Sequence, residues 1–232
     1  TSPGDVTNRE YASSTGYGVR VGYHGTFEQF SVGVAWASRM SMDEFDKYKG
    51  LYAEQGGFDI PSNLLVGAAW RPDGKWQLAV DWERIRYSDA RSVSNPSALL
   101  LNCAGGDASS CMGGANGPGF GWKDIDVWKF GVQYAVDANL TLRAGYNRGE
   151  NPVSPADVTF NILAPGVIRD HYTIGATWRL DSRSEVTFYG LYAAANEVTG
   201  TSLFVPFGAP PTTTETIRLE EYTVGVGYTA RF

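Results

Sequence analysis

The sequence lacks several features that common classes of protein require. Its 19 lysines and arginines are outnumbered by 25 aspartates and glutamates, so the positive surplus needed to bind nucleic acid phosphates is missing. It has only two histidines and two cysteines, and no further Cys or His lies near the two cysteines, as a metal site would require. No run of about eighteen apolar residues occurs, which excludes a membrane-spanning helix. We therefore expect no nucleic acid partner, no metal and no cofactor.

What the sequence has instead is a recurring alternation of apolar and polar residues. Alternate positions of a strand point to opposite faces, so this period predicts strands with one apolar face. The apolar set is uncharged through its centre and ends in Trp, Tyr or Phe, whereas the other set mixes charged residues with many of the 28 glycines. Nine such runs occur, at residues 17–24, 30–37, 64–70, 76–83, 127–134, 140–147, 171–180, 185–192 and 221–232.

The connectors between these runs alternate in length. Tight turns with Gly, Asp or Asn, as hairpins require, lie at residues 24–29, 71–75, 135–139 and 181–184. Connectors of more than twenty residues lie at about residues 40–63, 89–123, 148–169 and 195–219. The alternation places all turns on one side and all long loops on the other, which is typical of outer-membrane barrels.

A soluble sandwich is the alternative architecture, with the aromatic side chains packed between two sheets. Loops this long are uncommon in compact soluble domains, so we interpret the chain as all-β, a transmembrane antiparallel β-barrel forming one domain over residues 1–232. The mean hydropathy of -0.24 fits a barrel wall, because only every second residue must be apolar. Bacterial barrels close with an even number of strands. We therefore expect further strands upstream of these nine, which makes the chain the C-terminal portion of a barrel.

Several stretches of the chain resemble a known family. They are FDIPSN at residues 58–63, GPGFGWKDIDVWKFG at 117–131, LTLRAGYNRGENPV at 140–153 and DVTFNILAPGVIRDH at 157–171. With a last strand that ends in Phe, they resemble the C-terminal part of the FadL-type outer-membrane transporters for long-chain fatty acids. The resemblance covers almost the whole chain and is most specific in its last two thirds.

This resemblance implies a fourteen-stranded barrel plugged by an N-terminal hatch, of which these are the sixth to fourteenth strands. It implies capture of a fatty acid or detergent-like ligand at the extracellular face, transfer to a lumenal pocket and lateral release at a kinked early strand. The hatch and the kinked strand would lie upstream of Thr1. The implied location is the outer membrane of a Gram-negative bacterium, in contact with its lipid, with long loops extracellular, the C-terminus periplasmic and the complete barrel monomeric.

The first long connector carries side chains that suit an acyl chain, because flexible Met and aromatic groups adapt to apolar ligands. The i, i+3, i+7 spacing of Phe45, Tyr48 and Tyr52 predicts a short amphipathic helix at the rim. In the family that the chain resembles, such loops form the ligand-capturing groove. A loop that packs a small core of its own is the alternative, and the two are compatible. The candidate ligand-binding residues here are Met40, Met42, Phe45, Tyr48, Leu51 and Tyr52.

A second apolar segment lies at residues 158–168. Its Phe160, Ile162 and Leu163 must avoid water, either by folding inward as pocket wall or by packing against neighbouring loops. We favour the inward arrangement, to which Phe120 and Trp122 would contribute.

Two basic residues of the polar face, Lys129 and Arg143, are candidates to pair with a carboxylate head group. The alternative is that acidic residues of the same face neutralise them. The available partners are Asp81, Glu83, Glu185 and Glu221.

The two cysteines, Cys103 and Cys111, lie close together in a glycine-rich long loop. In an oxidising exterior they predict a disulfide that stabilises the loop by about 2–3 kcal/mol in the chain-entropy model.

An enzymatic function is not indicated. Neither a G-x-S-x-G elbow nor a phosphate loop occurs. Asp170 precedes His171, but neighbouring strand residues face opposite ways, so the carboxylate cannot orient the imidazole. His24 is expected in a short turn at the other end of the barrel.

The sequence thus predicts a passive outer-membrane channel for hydrophobic small molecules, and the resemblance implies long-chain fatty acids as substrates. A water-filled porin or a surface adhesin that uses the long loops is the alternative. Aromatic hydrocarbons are a substrate variant, since relatives of the family take them up.

Overall fold

The computed structural model describes residue 2 and residues 4–231, and eleven strands carry its architecture. They are β1 (Gly16–Tyr17), β2 (Arg20–Phe27), β3 (Phe30–Ala37), β4 (Ser41–Met42), β5 (Ser62–Trp70), β6 (Trp76–Arg86), β7 (Ile125–Ala135), β8 (Leu140–Gly149), β9 (Asp170–Arg179), β10 (Ser184–Thr201) and β11 (Thr214–Ala230). β1 pairs with β4, and the other nine form one antiparallel sheet in chain order. The nine predicted strands are therefore confirmed.

Helical segments are short and lie in the long connectors. The α-helices are α1 (Ala53–Gly56), α2 (Arg91–Ser94), α3 (Leu99–Ala104) and α4 (Val158–Asn161). Single 3₁₀ turns occur at Asp46–Tyr48, Tyr87–Asp89, Ala108–Ser110, Pro155–Asp157 and Val205–Phe207. Among the described residues, no helix combines the length and hydropathy needed to cross a bilayer.

The strand register keeps the two sets of alternating residues on separate faces of the sheet. On the face we call the outer face, Val34 pairs with Val66 and Ala68 with Val80. On the opposite, inner face, Asp81 lies across from Lys129. A slip of one residue would exchange the faces, so the hydrophobic pattern specifies the register strongly.

Aromatic side chains mark both ends of the outer face. Near the short turns, Phe30 stacks on Trp70 with ring centroids 6.1 Å apart, and Trp76 lies 4.5 Å from Tyr134. Near the long connectors a ladder crosses five strands, with successive rings 4.8 to 6.4 Å apart. The ladder consists of Phe130, Tyr146, Tyr172, Tyr192 and Tyr222. Such rows are the aromatic girdles that border the apolar band of an outer-membrane barrel.

Charged side chains lie on the outer face beyond the aromatic ladder, toward the long connectors. The hydroxyl of Tyr146 donates to Asp170 at 2.6 Å, and Arg148 forms an ion pair with the same carboxylate at 3.1 Å. Two further pairs lie at the loop ends of neighbouring strands, Arg84–Asp126 at 3.1 Å and Arg218–Glu220 at 2.8 Å. The tyrosine hydroxyls therefore join an apolar band to a charged border, as expected at a membrane interface.

An aspartate closes three of the four short turns. Oδ1 of Asp73 accepts the amides of Lys75 and Trp76 at 2.7 and 2.9 Å, and Oδ1 of Asp137 accepts two amides in the same way. These amide donors lower the pKa of both carboxyls. In the third turn the Ser184 hydroxyl, together with two amides, lowers the pKa of Asp181.

The last two strands extend beyond the predicted ends, so the connector between them covers only residues 202–213. β10 contains a bulge at residues 193–196, where two residues lie opposite one residue of β11. The bulge reverses the alternation, so that Val198 is buried on the inner face opposite Ile217. Because the apolar residues change face at the bulge, the alternation in the sequence stops there although the strand continues.

The sequence also made predictions about His24 and Phe232, at the ends of two strands. His24 lies within β2, opposite Gly33, and not in the turn that was expected to contain it, because the hairpin narrows to residues 28–29. Phe232, with which the alternation of the last strand ends, lies outside the described residues.

Val224→Arg tests the assignment of the outer face to lipid. Val224 is 87% exposed and lies opposite Gly190, between the two aromatic residues Tyr222 and Tyr228 of the outer face of β11. Arginine at the bilayer midplane should lower the free energy of unfolding in phospholipid vesicles by about 2–4 kcal/mol. The control Thr223→Arg places the same charge on the inner face and should cost less than about 1 kcal/mol. Equal losses would contradict the assignment.

Asp137→Ala tests the turn carboxylates through their pH dependence. Because folding lowers the pKa of Asp137, its contribution to stability is complete above its ordinary pKa of about 3.9 and is lost as pH falls through the lower folded value. The variant should be less stable than the parent protein at neutral pH and approach it in acid, measured by urea unfolding across pH. Asp137→Asn keeps an acceptor oxygen and should lose less. A deficit that persists unchanged into strong acid would argue against this role.

Candidate functional site

The long connectors assemble over the inner face at the loop end of the sheet, around a small apolar core. Its members come from the connector between β8 and β9 and from the extended ends of β10 and β11: Val153, Val158, Val167, Val198 and Ile217. Trp122 and Leu219 pack against this core. The connectors are thereby fixed against the strands.

Asn161 holds Trp122 in place at the centre of this assembly. The Trp122 indole donates to Asn161 Oδ1 at 2.6 Å, and Asn161 Nδ2 donates to the carbonyls of Phe120 at 2.6 Å and Asp157 at 2.9 Å. The ring of Tyr87 meets Trp122 edge-on at 4.9 Å. Burial, followed by the nearby charge of Glu83, raises the pKa of Tyr87. The indole is thus oriented from both sides.

Asp157 ties two connectors together with a buried carboxylate. It accepts the backbone amide and hydroxyl of Ser97 at 2.8 and 2.9 Å and the hydroxyl of Ser154 at 2.6 Å. Gly121 lies against it at φ +66°, where a methyl group would collide with the carboxylate. Only glycine satisfies both requirements at this position.

The first rim loop forms no continuous amphipathic helix, which corrects the prediction from its spacing. A 3₁₀ turn ends at Tyr48, and α1 contains left-handed residues at Glu54 and Gln55. The glycine at residue 50 and the turn that follows it separate the two segments, so the three aromatic residues do not share one helical face.

The same loop packs a small aromatic cluster of its own. Phe45 and Tyr52 lie 6.2 Å apart, and Tyr52 meets Phe58 edge-on at 5.0 Å. Burial raises the pKa of the Tyr52 hydroxyl, and electrostatic repulsion from the nearby Tyr48 raises it further. The remaining candidates of the loop, Met40, Met42 and Leu51, are half-buried. A ligand would therefore have to enter between side chains that already contact one another.

The predicted disulfide between Cys103 and Cys111 is present. The glycine-rich segment directly after Cys111 borders the first rim loop, because the amide of Glu54 donates to the carbonyl of Gly114 at 2.9 Å and that of Gln55 to the carbonyl of Gly113 at 3.1 Å. The two longest connectors are thus one hydrogen-bonded unit.

The apolar segment at residues 158–168 only partly avoids water. Val158 and Val167 are buried in the rim core and Phe160 is half-buried, but Ile162 and Leu163 are 56% and 78% exposed. The helical turn of α4 explains the division, because it directs successive side chains to different sides. The expected inward packing therefore does not apply to these two residues.

The two candidate cations of the inner face have different surroundings. Lys129 donates to Glu83 at 2.7 Å, which is the neutralised arrangement. Arg143 contacts neutral groups, with Nε donating to Gln133 at 2.8 Å and Nη1 to Thr177 at 2.7 Å. The structure thus separates two residues that the sequence treats alike.

Asp170 and His171 do not form a catalytic pair. Asp170 points to the outer face, where Tyr146 and Arg148 bind it. His171 lies on the inner face, opposite Asn147, and its buried Nδ1 has no partner among the described residues. The opposite orientations that the sequence predicted are confirmed.

The site as a whole unites only some of the candidate residues. Phe120, Trp122 and Phe160 lie around Asn161, the first rim loop forms its own cluster, and the two cations belong to the strands below. Sequence reasoning missed Tyr87, Asn161 and Asp157. Polar residues within loops carry no periodic signal, so only the fold reveals them.

The chain matches one family of outer-membrane proteins. A family model described as "Outer membrane protein transport protein (OMPP1/FadL/TodX)" matches residues 3–203. A search of curated proteins gave no match.

Two solved structures share the fold. The P. putida toluene transporter TodX has a TM-score of 0.57 and 16% identity, over 95% of this chain and 50% of that one. A Pseudomonas aeruginosa FadL homologue has a TM-score of 0.55 and 13% identity, over 91% of this chain and 50% of that one. The chain thus spans about half the length of the structures that it matches.

Asn161→Ala tests the network that orients Trp122. Its loss would leave the buried indole donor and the Phe120 carbonyl without partners, which should lower the free energy of unfolding by about 1–3 kcal/mol. Limited proteolysis should cut residues 158–168 faster. Asn116→Ala is the control, because that amide makes one long contact of 3.4 Å at the surface and should change stability by less than about 0.5 kcal/mol. Similar effects for both variants would refute the assignment.

Proposed function

The chain belongs to the outer membrane protein transport protein family (OMPP1/FadL/TodX), and from this we propose that it forms part of a passive channel for long-chain fatty acids and similar hydrophobic molecules. The match of the family model to residues 3–203 carries the proposal. The two-faced sheet supports it, because an outer face that carries no charge through its apolar band suits lipid and a polar inner face suits a lumen. We further propose that residues 1–232 form one domain, the C-terminal part of a fourteen-stranded barrel.

In the proposed orientation the long connectors face the outside of the cell and the short turns face the periplasm. A hydrophobic ligand would first meet apolar side chains at the rim, where Ile162 and Leu163 are exposed, and release ordered water as it binds. It would then pass Phe120, Trp122 and Phe160 toward the inner face. Each step is downhill and requires no energy coupling.

Aromatic hydrocarbons are a second candidate class of substrate. A similar structure is that of a toluene transporter, and residues 158–168 and 198–214 of this chain contain no charged residue. The two segments meet where the amide of Leu203 donates to Thr159 at 2.9 Å. These uncharged segments of the rim favour uncharged ligands, because no ion would have to be desolvated there.

The test is uptake by the full-length protein in liposomes. A labelled long-chain fatty acid should enter faster than it enters protein-free liposomes, and labelled toluene, measured in parallel, ranks the two substrate classes. Entry of both at the protein-free rate would refute the proposal.

Planar bilayer recordings separate the channel from the alternatives. A channel for hydrophobic ligands should show little ionic current, whereas steady conductance would indicate a water-filled porin. An adhesin would show neither uptake nor conductance.

A further inference from the structure

Two residues of the first rim loop have a strained backbone. Glu54 and Gln55, both within α1, lie in the left-handed region at φ 56° and 62°. Residues with a side chain adopt this region rarely and at a cost in free energy, so they remain there only while their surroundings hold them. The turn that contains them is therefore a part of the rim that would change conformation once it is released.

The glycine-rich segment that follows the disulfide holds this turn in place. The carbonyl of Gly114 accepts the amide of Glu54 at 2.9 Å, and the carbonyl of Gly113 accepts that of Gln55 at 3.1 Å. The side-chain amide of Gln55 donates to Gly113 as well. Gly113 is buried at φ 75°, where a methyl group would collide with the carbonyl of Lys49. The segment and the first rim loop thus fit together closely.

The disulfide joins this segment to a helix that is anchored on its other side. Cys103 lies in α3, and Cys111 lies two residues before Gly113. Ser97, two residues before α3, is completely buried and donates its amide and its hydroxyl to Asp157. A chain of contacts therefore leads from the buried Asp157 carboxylate through the disulfide to the strained turn.

The strained turn also supports the aromatic cluster of the first rim loop. Tyr52 directly precedes α1 and packs against Phe45 and Phe58. The amide of Phe45 donates to the carbonyl of Gly56, the last residue of α1, at 2.9 Å. The conformation of the turn thus fixes the rings that close this part of the rim.

Noncovalent contacts attach the glycine-rich segment at its far end. Asn95 Nδ2 donates to the carbonyl of Gly117 at 2.7 Å. Arg91 donates to the carbonyl of Ala115 at 3.1 Å and forms an ion pair with Glu54 at 3.4 Å. These contacts do not require the disulfide, so breaking it should loosen one end of the segment without unfolding the rim.

We propose that the Cys103–Cys111 disulfide is a redox-sensitive latch on the first rim loop. Both cysteines are half-buried and residues 104–108 between them are exposed, so a reductant reaches the bond. A dithiol supplies two electrons and two protons: the sulfur–sulfur bond breaks, each cysteine becomes a thiol, and the dithiol is oxidised to a disulfide of its own.

Reduction acts on the loop through conformational freedom. Without the cross-link, residues 103–111 gain entropy and the glycine-rich segment loses its fixed position. The turn at Glu54 and Gln55 then relaxes to an ordinary backbone, and the aromatic cluster opens while the sheet and the rim core stay folded. The latch goes beyond the channel function and does not depend on it, because it concerns the rim without a ligand.

The experiment is hydrogen–deuterium exchange of the detergent-solubilised full-length protein with and without dithiothreitol, with reduction verified by alkylation of both thiols. Reduction should speed exchange of the amides of residues 48–57 about tenfold, because their partners on the glycine-rich segment are loosened. Residues 158–168 and the strands should stay within about twofold. The double variant Cys103→Ser/Cys111→Ser should show the fast exchange with and without the reductant.

Two glycines provide a matched control that leaves the disulfide intact. Gly113→Ala and Gly106→Ala each place a methyl group at positive φ, 75° and 105°, but only at residue 113 does it meet the first rim loop. At residue 106 nothing lies within 4 Å of the added atom. Gly113→Ala should therefore speed exchange of residues 48–57 in the oxidised protein as reduction does, whereas Gly106→Ala should leave it within about twofold.

Unchanged exchange of residues 48–57 in both the reduced protein and the double variant would overturn the proposal. An equal increase in residues 158–168 would overturn it too, because the disulfide would then support the whole rim and not one loop. Equal effects of the two glycine variants would contradict it as well, since contact with the first rim loop would then make no difference.

Discussion

The structure depends on one constraint, that a backbone surrounded by lipid must pair all its amides and carbonyls within the protein. Each inner strand of the nine-stranded sheet meets this requirement through two antiparallel neighbours. The wall is then a single sheet, so each strand side chain faces either lipid or the interior. The alternation of sequence, the aromatic ends of the strands and the absence of charge from the apolar band follow from this division.

The rim core follows the opposite rule, because water surrounds the rim and the apolar side chains of this core are buried on the inner side. The bulge in β10 switches the apolar side chains from the outer face to the inner face within one strand. Tyr192 faces outward before it, and Val198 is buried inside after it, against Val158 and Val167 of a neighbouring connector. The same reversal fixes the loop assembly that holds Trp122, so the bulge links the wall to the candidate site.

The nine strands and the Cys103–Cys111 disulfide were predictable from the sequence because both depend on local patterns. The ends of β10 and β11 were not, since the alternation changes phase at the bulge. Spacing also failed in the first rim loop, where contacts with Gly113 and Gly114 override a helical pattern. The difference between Lys129 and Arg143 was equally hidden, because it depends on which cross-strand neighbours reach each cation.

The most direct test of the two-faced wall is spin-label accessibility along β10 in lipid vesicles. Labels at residues 186, 188, 190 and 192 should be relaxed by oxygen dissolved in lipid and shielded from a water-soluble nickel complex, because these positions share the outer face. Labels at the odd positions 187, 189 and 191 should show the reverse. Equal access of the nickel complex to both sets would contradict the account, since it would mean that neither face of the sheet lies against lipid.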